Sequence, residues 1–232
     1  MSEMQLCRYA KITEKLPREF CLLQGTGCRW GKCTFCDYHL DRSSSPFETN
    51  RAVLSNITGE FGVLDVINSG SCIELDEQTL DLIAEIVKEK HIHTVWVEAH
   101  YMYAEKLADF AKRFGGVTVK FRTGIETFDP KLRKKWQKGT PEDITPQDIA
   151  KYFNGVCLLF AVEGQTKEGI ARDIEIALKH FEYFSLNAFV ENTTALRRDA
   201  ALLQWFLKEC YPALKNNPKA EVLLNNTDLG VG

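Results

Sequence analysis

The 232-residue chain is 44% apolar and 26% charged, which supports a full globular core and excludes a disordered or fibrous protein. Its net charge of −3 offers no general attraction to nucleic acid or acidic lipid, so direct binding to either is not expected. Met1 to Arg8 lack the apolar run of a signal peptide, and Val156 to Val162 is too short to span a bilayer. Eight cysteines without an export signal fit a reducing compartment, so a cytoplasmic protein without membrane contact is expected.

One domain over residues 1–232 is expected, with the mixed, charged residues 1–18 as a lead-in segment lying over it. Phe20 to Gln24 reads as the first strand, ended by Gly25 and followed by a cysteine-rich loop. A polar turn over Arg42 to Pro46 leads to a helix over Asn50–Phe61. The β-branched run Val63 to Ile67 is a strand stopped by Asn68-Ser69-Gly70-Ser71. Asp76 caps a helix whose Leu80, Ile83, Ala84 and Val87 share one face. Thr94 to Val97 forms the third strand, and Leu107, Phe110, Ala111 and Phe114 mark a helix closed by Gly115-Gly116. Val117 to Phe121 is the fourth strand, followed by a short basic helix over Asp129–Gln137 and a polar connector to Pro146. Val156 to Val162 is the fifth strand, and Thr166 caps a helix carrying Ile170, Ile174, Ala177 and Phe181. Phe184 to Phe189 is the sixth strand. A helix from Thr194 to Tyr211 and a short tail strand at Glu221 to Leu224 complete the chain. Strand–helix units of this length imply parallel strands with helical crossovers. Six units are fewer than a closed eight-stranded barrel needs, so the fold expected is α/β, a partial (β/α)6 TIM-like barrel.

The stretch Gly27-Cys28-Arg29-Trp30-Gly31-Lys32-Cys33-Thr34-Phe35-Cys36-Asp37-Tyr38 carries the sharpest chemical signal. Four residues separate Cys28 from Cys33 and two separate Cys33 from Cys36. Thiolates this close, in a glycine-softened loop, can face one metal centre. A structural zinc would want a fourth ligand, for which Cys21 and His39 are the nearest candidates. Cubane iron–sulfur clusters are also held by cysteines at such spacings. Three free thiols are the bland alternative.

The loop resembles the radical S-adenosylmethionine (radical SAM) superfamily, whose usual pattern has three residues in the first gap, two in the second and an aromatic before the last cysteine. Phe35 fills the aromatic place, and the first gap is one residue longer than usual. The resemblance implies that Cys28, Cys33 and Cys36 hold a [4Fe–4S] cluster whose open iron binds SAM. It also implies the partial barrel already expected, and an electron donor such as flavodoxin or ferredoxin.

In parallel β/α barrels the carboxyl ends of the strands carry function. The resemblance puts Asn68, Ser69, Gly70 and Ser71 where the superfamily holds the SAM amino group. By the same analogy Glu98 meets the ribose hydroxyls and Arg122 the SAM carboxylate, while Asn187 and Tyr38 face the adenine. Phe35 belongs to this cofactor-binding set. The alternative is that Glu98 and Arg122 pair with each other or with water at the barrel mouth. The remaining strand-end groups, His100, Tyr101, Glu126, Glu163 and Glu191, are candidates for binding a small-molecule substrate.

Carboxylates dominate that rim, which suits a cation or a donor-rich edge and repels phosphates. A deazaguanine base with an amine arm presents both. The small size, the lengthened cysteine gap and the lack of a second cluster motif are similar to a carbon–nitrogen lyase of the superfamily that acts on such a base. Two rivals remain open: a glycyl-radical activase, which abstracts hydrogen from a partner protein, and a zinc-stabilised RNA-binding module, which needs a fourth ligand and a basic surface.

Overall fold

The computed structural model describes residues 6–232, so the first five residues of the expected lead-in lie outside the described residues. Eight strands form one sheet in sequential order: β1 (Tyr9–Ile12), β2 (Arg18–Leu23), β3 (Val63–Asn68), β4 (Thr94–Glu98), β5 (Thr118–Glu126), β6 (Gly155–Phe160), β7 (Tyr183–Ala188) and β8 (Ala220–Leu223). From β2 onward each strand is parallel to the next, and only β1 is antiparallel to its neighbour. The crossovers are α1 (Phe47–Leu54), α2 (Glu77–Glu89), α3 (Leu107–Ala111), α4 (Pro130–Lys135) with α5 (Pro146–Ala150), α6 (Lys167–His180), and α7 (Ala200–Glu209) with α8 (Tyr211–Leu214). These crossovers define six strand–helix units, and among the described residues β8 and β1 do not pair. The result is the open, partial TIM-like barrel that the sequence implies.

The core lies between sheet and helices. Leu64, Val66, Val95, Val97, Val156, Leu158, Phe184 and Leu186 pack with Leu80, Ile83 and Val87 of α2 and with Ile170, Ile174 and Ala177 of α6. Each such side chain contributes about 1.5–3 kcal/mol by leaving water. Asp76 and Thr166 accept backbone N–H groups at the starts of α2 and α6, so these capping signals act as read, and Asp129, expected inside its helix, caps α4 in the same way.

Several boundaries differ from expectation, among them the fourth expected strand, which runs on past Phe121 to Glu126, and the fifth, which ends at Phe160 and not at Val162. The lead-in contributes β1, a short edge strand bearing Lys11, where a charged side chain blunts the edge. The helix expected to reach Phe61 stops at Leu54, because the buried Glu19 carboxylate takes the backbone N–H groups of Thr58 and Gly59 at 2.7 Å each. The helix expected from Thr194 begins at Ala200, capped by Asp199, and the preceding residues lie against the cysteine loop. Among the described residues no helix is long and apolar enough to cross a membrane.

Candidate active site

The cysteine loop leaves the carboxyl end of β2 and is pinned from both sides. Thr34 N–H donates to Trp136 O at 3.0 Å, Asn192 Nδ2 to Phe35 O at 2.8 Å, and Thr193 N–H and Oγ1 to Asp37 Oδ2 at 3.0 and 2.9 Å. Phe35 is buried and meets the Trp136 ring edge-on, 5.8 Å between centroids. Trp30 donates Nε1–H to Gln137 O at 2.7 Å and stacks on His100. The loop's shape therefore comes from contacts distant in sequence, on the connections that follow β4, β5 and β7.

Cys28, Cys33 and Cys36 line one cavity of about 280 Å³ at the carboxyl ends of the strands. Burial pushes the Cys33 thiol up to about 12 and Cys36 to about 11, with Lys138 pulling both down. The thiols are therefore protonated at neutral pH until a metal displaces the protons. Among the described residues no three His, Cys, Asp or Glu side chains converge on a single ion. Thiolates of one tetrahedral zinc stand about 4 Å apart, whereas a cubane assigns each thiolate its own iron and tolerates a wider spread. The donor set fits a cubane with one iron free of protein ligands.

The same cavity is lined by Phe35, Tyr38, Asn68, Ser69, Gly70, Ser71, Glu98, His100, Arg122, Glu126 and Asn187. Ser69 Oγ and Asn187 Oδ1 are buried without a hydrogen-bond partner, which fits polar atoms reserved for a ligand. Ser71 Oγ instead accepts His100 N–H at 3.0 Å. At Gly70 an added Cβ would lie 3.1 Å from Gly27 O and 3.3 Å from Cys28 Cα, and closer still to Glu74 Oε2. The glycine lets β3's following turn press against the cysteine loop itself.

The cavity floor is a chain of alternating charge. Asp65 takes Arg18 Nε at 2.8 Å and both terminal nitrogens of Arg122 at 3.1 and 2.6 Å. Arg18 continues to Glu221 Oε2 at 2.8 Å, and Arg122 Nε lies 3.6 Å from Glu98. Desolvation lowers Arg122's pKa, but Asp65, Cys157 and Glu98 outweigh it and hold the guanidinium charged. Desolvation raises Glu98 against the pull of Arg122. Arg122, expected by resemblance on the SAM carboxylate, thus has its fork taken by Asp65.

His100 has both ring nitrogens occupied. Nδ1 accepts Met102 N–H at 3.1 Å and Nε2 faces Lys138 O at 2.7 Å, which sets the neutral Nε2–H tautomer. Burial, helped by Lys138, lowers it to about 4. The histidine therefore braces the wall and offers the cavity its ring surface.

Three expected substrate contacts lie outside the cavity. Tyr101 begins the turn after His100 and packs its ring on Phe153. Glu163 is exposed, because Val162 bridges Arg198 and Glu163 N–H bonds Arg197 O, turning the chain outward. Glu191 is exposed and accepts Arg198 N–H at 3.2 Å. Conversely, sequence reasoning passed over Trp30, Asp65, Lys138 and Glu221. Lys138 lay in a connector that reads as polar linker, and only the aromatic at 30 inside the lengthened gap hinted at a contact.

No protein-family model matches the chain, and no curated protein matches it. Among solved structures, queuine lyase from Clostridium spiroforme bound to SAM and queuine matches with a TM-score of 0.94 and 40% identity, over 98% of this chain and 100% of that one.

Proposed function

The chain belongs to the queuine lyase family of radical SAM enzymes, and from that premise we propose how its residues cleave queuine to release 7-aminomethyl-7-deazaguanine for reuse in tRNA modification. The observation that carries the reading is the match to a SAM- and queuine-bound lyase over 98% of the chain, joined to three thiols on the wall of one cavity.

Cys28, Cys33 and Cys36 would hold a [4Fe–4S] cluster, and Ser69, Gly70, Ser71 and Asn187 would hold SAM. When bound, the reduced cluster and SAM together supply a 5′-deoxyadenosyl radical for hydrogen abstraction. Ser69 Oγ and Asn187 Oδ1 exchange their unpaired state for ligand contacts. Glu98 faces the ribose hydroxyls, steadied by Arg122 from below. Phe35 and Trp136 wall the loop with apolar surface and exclude water from it. Queuine held in the same cavity would offer its cyclopentene ring for hydrogen abstraction, which would weaken the C–N bond to the aminomethyl arm.

The basic helix α4, with Lys131, Lys134 and Lys135 exposed, is the surface that suits an acidic one-electron donor, flavodoxin or ferredoxin. One domain carries the activity, in a reducing cytoplasm that keeps its cysteines out of disulfides. The test is anaerobic reconstitution with iron and sulfide, followed by reduction in the presence of SAM and queuine. Formation of 5′-deoxyadenosine together with 7-aminomethyl-7-deazaguanine is expected. SAM cleavage with queuine left intact overturns the substrate assignment.

A further inference from the structure

Glu126 and Lys138 form a buried ion pair inside the cavity, 2.9 Å between Nζ and Oε1, with about nine-tenths of each residue shielded from solvent. The pair is built with effort. Glu126 has a φ of +67°, in the left-handed region, and it closes a register shift between β5 and β6. Its carboxylate folds back over Gly124, where an added Cβ would meet Oε1 at 2.4 Å and Lys138 Nζ at 3.0 Å. Backbone strain at a buried charged residue is the kind that persists where a site needs it.

Lys138 is held as firmly. Its N–H donates to Arg133 O at 3.0 Å, its carbonyl accepts His100 Nε2–H at 2.7 Å, and its ammonium sits 5.7 Å over the Phe35 ring. Among the described residues no hydrogen bond reaches Glu126 Oε2, and Lys138 Nζ donates only to Glu126. The cavity therefore contains an acceptor beside a donor, each with capacity to spare and each charged. A charged pair left with open valences toward a cavity is arranged for a ligand edge that is itself donor beside acceptor.

We propose, resting on the lyase reading above, that this pair sets base specificity. Lys138 Nζ donates to the ring carbonyl oxygen of the deazaguanine, and Glu126 Oε2 accepts the adjacent ring N–H. The lactam edge of a guanine-type base places those two groups side by side. An adenine-type edge inverts them, setting an amino group against the ammonium and an unprotonated ring nitrogen against the carboxylate. Such a mismatch leaves the open valence of each buried group unpaired, which is how polar sites reject near-isosteres. The α-amino and carboxylate groups of SAM are the other donor–acceptor pair in reach, and the experiment separates the two.

Binding of queuine, 7-aminomethyl-7-deazaguanine, 7-deazaadenine and SAM is measured by calorimetry on the reconstituted protein and on Lys138→Met, Lys138→Arg and Glu126→Gln, with thermal melts to verify folding. Wild type is expected to bind both deazaguanines and to exclude 7-deazaadenine. Lys138→Met and Glu126→Gln are expected to lose roughly 5- to 150-fold in deazaguanine affinity, as for one unpaired buried group. Lys138→Arg should keep more of it than Lys138→Met. Unchanged deazaguanine affinity in both folded variants overturns the proposal, as does a loss confined to SAM. Should wild type bind the bases with this pattern yet never cleave queuine, the lyase reading fails and the edge assignment stands. Should it cleave queuine while both variants keep wild-type affinity, the reverse holds.

Discussion

Replacing Asp65 by Asn removes the charge at the centre of the cavity floor while keeping its shape. Asp65 is fully buried and accepts three hydrogen bonds from two guanidinium groups, at 2.8, 3.1 and 2.6 Å. Bonds of this kind to a charged acceptor are worth about 1.5–3 kcal/mol each. Asn retains one acceptor but turns an amide N–H₂ toward a guanidinium, and it leaves Arg18 and Arg122 to Glu221 and Glu98 alone. Removing one partner of a buried pair costs about 3–5 kcal/mol, most of it the uncompensated charge left behind. A loss of that size is expected for Asp65→Asn in urea unfolding, read as a fall in midpoint at unchanged slope. Arg18 also ties β2, the neighbour of edge strand β1, to β8 at the other edge of the sheet, so loosening it should speed amide exchange in β8 first. A loss below about 1 kcal/mol would mean that Glu221 and Glu98 neutralise both arginines unaided, and the floor would not be the staple inferred.

The remaining predictions concern the loop, its neighbour and pH. Ala at Cys28, Cys33 or Cys36 should abolish the cluster's visible absorbance and lower bound iron without unfolding the sheet; full iron retention in all three refutes the ligand assignment. Gly70→Val should impair cluster loading as well as SAM binding, because its side chain would press on Gly27 O and Cys28 Cα; a variant with normal iron content contradicts that contact. His100, lowered to about 4 by burial, makes stability fall as pH drops from about 6.5 to 4, since the unfolded chain binds more protons in that window. Asp173, raised to about 6 by burial, acts oppositely between about 4 and 6, where the folded state holds the extra proton. The two slopes offset, so Asp173→Asn should make the protein more acid-sensitive in urea titrations at pH 4.5 and 6.5; an unchanged pH dependence refutes the pairing.

What the sequence made legible follows from how locally each feature is determined. Strands β3, β4, β6 and β7 are runs of β-branched and aromatic residues between turns, and α2 and α6 announce themselves by caps and a single apolar stripe. The three cysteines sit within one loop, so their shared cavity could be anticipated. The partners of Arg122 could not: Asp65 interrupts an apolar strand and its meaning depends on two arginines 47 and 57 residues away. Glu163 was misplaced for a related reason. Glu98 and Glu126 are the last residues of their strands, whereas Glu163 lies beyond the end of β6, where the Val162–Arg198 bridge to a later segment turns the chain outward. Lys138 shows the same limit in reverse, since nothing local separates a cavity lysine from a solvated one in a polar connector.

The lengthened cysteine gap acquires a physical role from these contacts. Trp30 lies midway between Cys28 and Cys33, and its ring fills a slot on the connector between β5 and α5. Gly139 there has a φ of +75°, and any Cβ would lie 2.3 Å from the indole. The indole also covers His100, whose Nε2–H fixes the Lys138 carbonyl, and donates to the Gln137 carbonyl one residue earlier. One aromatic residue thus ties the thiol loop to the peptide units on both sides of the cavity lysine. A loop with a shorter gap would have less chain with which to project a ring to that slot. On the reading proposed above, the extra residue joins two sites meant for different molecules, the thiols for the cofactor and the Glu126–Lys138 pair for the base. The relative placement of the two sites is braced by the packing of Trp30, His100 and Gly139.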